Sequence, residues 1–167
     1  MAREARYQVF VSSTYTDLIT ERQAVISTLL QLNAFPAGME LFPATDDEAW
    51  VLIERVIDES DYYLLVIGGR YGSVDSAGLS FTEREYEYAV ARRKPTMAFL
   101  HQSPEKLPFE HSEGDPSARE KLDAFRARVQ LARHVKLWTS PEDLVGKVAN
   151  VLYELHAKLS IIWLDTG

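Results

Sequence analysis

Two groups of residues in this 167-residue chain have the types and spacing to act on a nucleotide: carboxylates at a helix start, and hydroxyls and glycines in loops that follow strands. Ser80-Phe81-Thr82-Glu83-Arg84-Glu85-Tyr86-Glu87-Tyr88-Ala89 opens a helix with three carboxylates on alternate residues. At about 100° per residue, Tyr86, Ala89 and Val90 define the expected buried face. Glu85 borders that face on the Ala89 side, Glu83 on the Val90 side, and Glu87 points further out. Glu83 and Glu85 are therefore both candidate catalytic residues. A glutamate here, aimed into a crevice, could bind ribose hydroxyls and stabilise the oxocarbenium-like state formed as a glycosidic bond breaks. Ser80-x-x-Glu83 and Thr82-x-x-Glu85 also each match a capping box, so a purely structural role accounts for either acid equally well.

The loops supply the binding chemistry. Ser12-Ser13-Thr14-Tyr15-Thr16-Asp17 follows the apolar run Tyr7 to Val11 directly and precedes an amphipathic helix. Gly68-Gly69-Arg70-Tyr71-Gly72-Ser73 follows a second apolar run, and its glycines let backbone N–H groups approach a phosphate closely. It lacks a P-loop lysine and dinucleotide-fingerprint spacing, so a tight turn is the competing reading. Ser12, Ser13, Thr14, Gly68, Gly69, Arg70, Tyr71 and Ser73 are the expected substrate contacts, with Glu40 and Phe42 from Glu40-Leu41-Phe42-Pro43 bordering the same crevice. Phe42 and Tyr71 would shield sugar or base from water. His101, His111, His134 and His156 show no paired-ligand spacing, and no metal site is expected. Ser12 and Ser13 lack a nucleophile elbow, and Tyr62, Tyr63, Tyr86 and Tyr88 read as packing residues.

The elements that must position these residues alternate regularly. Tyr7 to Val11 reads as a strand, and Leu18 to Leu32 as a helix with Leu18, Val25, Ile26, Leu29 and Leu30 on one face. Phe35 to Leu41 is a short second strand interrupted by Pro36 and Gly38. Thr45-Asp46-Asp47-Glu48 caps a second helix carrying Trp50, Ile53, Val56 and Ile57. The continuous run Tyr62 to Ile67 is a strand covered on both faces. The third helix, from about Phe81 to Arg93, leads to a strand from Pro95 to Leu100. Residues 102–116, rich in proline, serine, glycine and acids, read as an exposed loop and the segment most prone to disorder. Ala118, Leu122, Phe125 and Val129 then mark a fourth helix, and His134 to Trp138 a fifth strand. Ser140-Pro141 starts the last helix, lined by Leu144, Val148, Val151, Leu155 and Leu159. Five strands alternating with five helices predict an α/β three-layer sandwich of flavodoxin-like type, a parallel sheet in the order 2-1-3-4-5. In that order the ends of strands one and three flank the switch point, bringing Ser12-Ser13-Thr14 beside the glycine loop.

Composition narrows the partners. With 46% hydrophobic residues the chain can build one core, and 18 basic against 25 acidic residues, a formal charge of −7, disfavour nucleic acid. Cysteine is absent, which removes disulfides and thiolate chemistry. No apolar run suggests a signal peptide or a membrane span, so a cytoplasmic protein is expected.

Val9-Phe10-Val11-Ser12-Ser13-Thr14, Ser60-Asp61-Tyr62-Tyr63, Arg70-Tyr71-Gly72-Ser73 and the Glu85 helix together resemble TIR-type domains. They most closely resemble the TIR-like family catalogued as domain of unknown function 4062, found in bacterial proteins and at the front of some NACHT and WD-repeat ATPases. The similarity spans roughly residues 7 to 101. Thr82-x-x-Glu85-x-x-x-Ala89 also resembles the segment holding the catalytic glutamate of nucleoside deoxyribosyltransferases, and TIR-type NAD hydrolases place theirs at the start of the equivalent helix. That spacing carries the role onto Glu85. The resemblance implies one TIR-like domain over residues 1–167, and the apolar tail Ile161 to Gly167 suggests the N-terminal module of a longer protein. The resemblance also implies a nucleotide-binding domain that hydrolyses NAD as substrate, with no prosthetic group, in antiviral defence or stress signalling. Where TIR sequences carry Arg-Asp and Pro-Gly this chain has Glu40 to Thr45, and the Trp-Cys pair preceding the glutamate is missing. Those departures favour the alternative, a non-catalytic module that self-associates or contacts a fused or partner signalling ATPase. A nucleoside deoxyribosyltransferase-like enzyme is a third reading.

Overall fold

The computed structural model describes residues 6–38 and 47–165, with no side-chain description for 47, 48 and 159–165. Its elements are β1 (Gln8–Ser13), α1 (Ile19–Gln31), β2 (Phe35–Gly38), α2 (Asp47–Glu59), β3 (Tyr62–Ile67), α3 (Phe81–Ala91), β4 (Thr96–His101), α4 (Pro116–Ala132), β5 (Val135–Trp138) and α5 (Pro141–Asp165). All strand pairs are parallel and the order is β2-β1-β3-β4-β5, the doubly wound arrangement that the alternation predicts. The Thr45 capping box and the Glu40 to Pro43 stretch lie outside the described residues.

β3 sits mid-sheet because all six of its side chains are apolar or aromatic, and all six are buried. Alternation along the strands divides the core in two. Val9, Val11, Tyr62, Leu64 and Val66 pack with α1 and α5, while Phe10, Tyr63, Leu65 and Ile67 pack with α2, α3 and α4. Each of these layers excludes a full apolar face from water, which is the main source of stability for such a fold. Pro95 stands just ahead of β4, where its missing N–H costs nothing and its carbonyl accepts from Tyr63 N–H. Asp115 and Ser140 cap α4 and α5 ahead of Pro116 and Pro141, accepting from Ala118 N–H and Asp143 N–H.

Three details differ from the sequence reading. Leu30 is exposed, because Arg22 rather than Leu30 joins Val25 and Leu29 on the buried stripe of α1. Val90 is 38% exposed, since the inward face of α3 is centred on Thr82, Glu85, Tyr86 and Ala89. Residues 102–115 carry two short 3-10 turns, Pro104–Lys106 and Phe109–His111, and fold back onto the loop after β3.

Candidate functional site

The loops after β1 and β3 meet at the switch point, because β1 and β3 are neighbours with Ser12 opposite Leu65 and Ser13 opposite Val66. Gly72 adopts a positive φ of 90°, and a Cβ there would come within 2.7 Å of the Thr14 methyl, so the two loops touch only because this residue has no side chain. A Cβ on Gly69 would fall 2.3 Å from the His111 carbonyl. Segment 107–113 is thereby laid across the β3–α3 loop. Arg70 Nε donates to Ser112 O at 3.3 Å, Tyr71 N–H donates to Glu113 at 3.1 Å, and Arg70 Nη1 reaches Thr16 Oγ1 at 3.2 Å.

Strand alternation sends Ser12 and Ser13 to opposite sides of the sheet. Ser12 Oγ donates to Glu85 Oε2 on α3 at 2.5 Å. Ser13 Oγ accepts from Arg22 Nη1 on α1 at 3.0 Å and donates to Thr14 O. Glu85 is 1% exposed, and burial pushes its carboxyl up to about 7, against the opposing effects of the Ser12 hydroxyl and the Arg22 charge. The Tyr63 hydroxyl, fully enclosed nearby, is held well above its ordinary value by burial and then by the charge of Glu85.

Glu83 occupies a different setting. The Tyr71 hydroxyl donates to its Oε2 at 2.5 Å, and Arg128 Nη2 donates to its Oε1 at 2.7 Å. Its own N–H is capped by Ser80 Oγ, whose N–H donates to the Tyr71 hydroxyl. Each Glu83 carboxylate oxygen thus has a protein donor, whereas among the described residues Glu85 has only Ser12 as a hydrogen-bond donor. Tyr71 is bound into the Glu83 network, Ser73 is exposed with its carbonyl accepting from Phe81 N–H at the start of α3, and Gly68 and Gly69 are buried. Glu40 and Phe42 lie outside the described residues.

Thr14, Ile67, Arg70, Tyr71 and Thr82 line a cavity of about 10 Å³, one helical turn from Glu85. That is space for a single water. Among the described residues no three His, Asp or Glu side chains are grouped to hold a metal, and no helix is long and apolar enough to cross a membrane.

Sequence reasoning missed Asp17, Arg22 and Arg128. Arg22 was legible in principle, since it stands three residues before Val25 and seven before Leu29 on one helical face. Asp17 is 2% exposed beside Gly68, and nothing in its neighbours Thr16 and Leu18 distinguishes it from an ordinary residue at a helix entry.

The family model for a domain of unknown function, DUF4062, matches residues 8–153. Among solved structures, the RPS4 and RRS1 TIR domain heterodimer aligns at a TM-score of 0.56 with 10% identity, covering 91% of this chain and 99% of that one. The Clostridium botulinum CMP N-glycosidase BcmB aligns at 0.50 with 14% identity, covering 84% and 97%. At such identities the likeness is one of fold, here a TIR-like one. No curated protein matches the chain in sequence.

Proposed function

The chain belongs to the DUF4062 family, and from that premise we propose that it is a nucleotide N-glycosidase that releases nicotinamide from NAD. The observation that carries this reading is the placing of Glu85: a buried carboxylate at the end of β1, held by one serine, with capacity left for a ligand. As the bond between ribose C1′ and nicotinamide breaks, its electron pair leaves with the base, which departs neutral. The ribosyl carbon becomes cationic, Glu85 stabilises that charge, and water adds at the same carbon with loss of a proton. That role requires the ionised form, which burial disfavours by raising the carboxyl to about 7 and which the Ser12 hydroxyl and the Arg22 charge partly restore. Ser13, Thr14, Arg70 and the N–H groups at Gly68 and Gly69 would hold ribose and phosphate. The structural likeness to a CMP N-glycosidase supports the bond type, while the choice of NAD over CMP rests on the resemblance to TIR-type NAD hydrolases.

A nucleotide entering beside Thr14, Arg70 and Tyr71 would need these loops to part, since the cavity they line holds a single water. Incubation of concentrated protein with NAD, CMP and pairs of free nucleosides, with product separation by chromatography, tests the reading. Nicotinamide release by wild type and not by Glu85→Gln supports it. Cytosine release would instead move the substrate to CMP, and base exchange between nucleosides would indicate a deoxyribosyltransferase. No base release from any of them, or release unchanged by Glu85→Gln, removes it.

A second reading has its own observation. Leu30, Leu32 and Phe35 are exposed together where α1 ends and the edge strand β2 begins, a surface suited to self-association or to a signalling ATPase. The TIR neighbour with the higher TM-score was crystallised as a heterodimer, which agrees with that reading. A monomer at all concentrations in multi-angle light scattering would count against self-association. A cytoplasmic defence or stress-signalling role is proposed with either reading.

A further inference from the structure

Asp17 is buried with both carboxylate oxygens lacking a hydrogen-bond donor, and the Thr14 hydroxyl beside it is likewise unmatched. Leaving a carboxyl and a hydroxyl unsatisfied in the interior is costly, and such groups normally find protein partners. Here the fold withholds them. Gly68 faces Asp17 with no side chain, a Cβ there would lie 3.0 Å from Asp17 Oδ2, and His111 Nδ1 donates to the Asp17 backbone carbonyl at 2.9 Å rather than to its carboxylate. Burial raises the Asp17 carboxyl above its ordinary value; the Thr14 hydroxyl and the Asp17 N–H lie close enough to offset part of that effect but outside hydrogen-bond geometry, and the charges of Arg70 and His111 offset little more.

We propose that Asp17 and Thr14 form an acceptor subsite for the cis-diol of a ribose, exposed to ligand when segment 107–113 lifts from the glycine loop. A carboxylate with two free oxygens matches two adjacent hydroxyl donors, and Thr14 can accept or donate a further bond. A metal ion is a poorer occupant, because only one carboxylate is present and no further His, Asp or Glu completes a ligand set among the described residues. Thr14, the second member of the subsite, also lines the small cavity that it shares with Thr82. The assignment of the subsite deepens the glycosidase reading and rests on the same site, but it concerns binding, so the two can fail separately.

The test is calorimetric binding to full-length Glu85→Gln protein, which removes turnover. The probes are nicotinamide mononucleotide, CMP and AMP, each with one ribose, and their 2′,3′-dideoxy counterparts. In that background Asp17→Asn is expected to weaken the best ribonucleotide about tenfold to a hundredfold, as loss of charge-assisted hydrogen bonds does. The dideoxy probe should bind weakly and indifferently to the change. Thermal unfolding gives an independent readout: relief of an unmatched buried charge should leave Asp17→Asn at least as stable as its parent, whereas a structural role would lower its melting temperature. Thr14→Val should weaken the ribonucleotide by a smaller factor. Equal affinity of Asp17→Asn for ribonucleotide, equal binding of the dideoxy probe, or no binding of any probe overturns the subsite. Diol-dependent binding to a protein whose wild type never releases base would keep the subsite and discard the glycosidase.

Discussion

Glu83 and Glu85 stand two residues apart on α3, both buried, and the fold treats them in opposite ways. Glu83 is enclosed by Tyr71, Arg128 and the Ser80 cap, so its charge is matched where it sits. Among the described residues Glu85 reaches the sheet edge with Ser12 as its one donor and its carboxyl pushed up to about 7, and Asp17 across the switch point has unmatched oxygens. The difference separates two uses of a buried acid. A carboxylate whose lone pairs are filled by protein holds elements together, while one left short of donors costs stability until something else binds. That second condition is what an active site tolerates.

Glu85→Gln should show the largest separation between function and fold. Base release should drop by about a hundredfold or more, since the neutral amide cannot stabilise a ribosyl cation. Stability should move the other way. Between pH 4.5 and about 7 the folded protein keeps on Glu85 a proton that the unfolded chain has released. Stability therefore falls as pH rises through that window, by on the order of 3 kcal/mol in total. Urea titrations at pH 5 and pH 8 should show a wild-type loss that Glu85→Gln lacks, leaving the variant more stable at pH 8. A variant less stable than wild type at pH 8 would mean that Glu85 is a structural anion like Glu83.

Glu83→Gln should reverse the pattern on a smaller scale. Loss of the charged bonds from Tyr71 and Arg128 should cost about 1–2 kcal/mol in urea denaturation. Base release per folded molecule should stay within about threefold of wild type. A deeper loss of turnover with unchanged stability would return Glu83 to the catalytic role that the sequence left open.

The sheet order was legible because mostly apolar strands alternate regularly with patterned helices, which makes the doubly wound order the simplest, and because the unbroken run Tyr62–Ile67 marks the central strand. The choice between Glu83 and Glu85 was not, because counting apolar residues places the inward face of α3 toward Val90. The helix in fact turns Thr82 and Glu85 inward, and their polar types mask the face they occupy. The unmatched state of Asp17 depends on what the loops after β3 and β4 fail to bring, which no local pattern records. Segment 102–115 is largely exposed, as its composition predicts, but the His111 ring donating to Asp17 O and Arg70 donating to Ser112 O tie it to the switch point, which composition does not report.

The smallest effect is expected at Asp58, which has the same kind of partners as Glu83 but stands near the surface. Arg92 donates to both its oxygens at 2.6 and 2.8 Å, and Tyr88 adds a third bond at 2.9 Å. The Arg92 bonds hold its carboxyl down at about 2. A depressed acid contributes stability above its unfolded value of 3.8 that is lost as pH falls through about 2. Solvent screens this pair, so Asp58→Asn should cost less than about 1 kcal/mol at pH 7 despite its good geometry. Lys94 bonds the Asp58 backbone carbonyl, not its carboxylate, and would be retained. Urea midpoints at pH 7 in low and high salt give the measurement: the small loss should shrink further with salt. A loss as large as that of Glu83→Gln would show that burial is not what divides strong acid sites from weak ones on this domain, and that the number of donors alone decides.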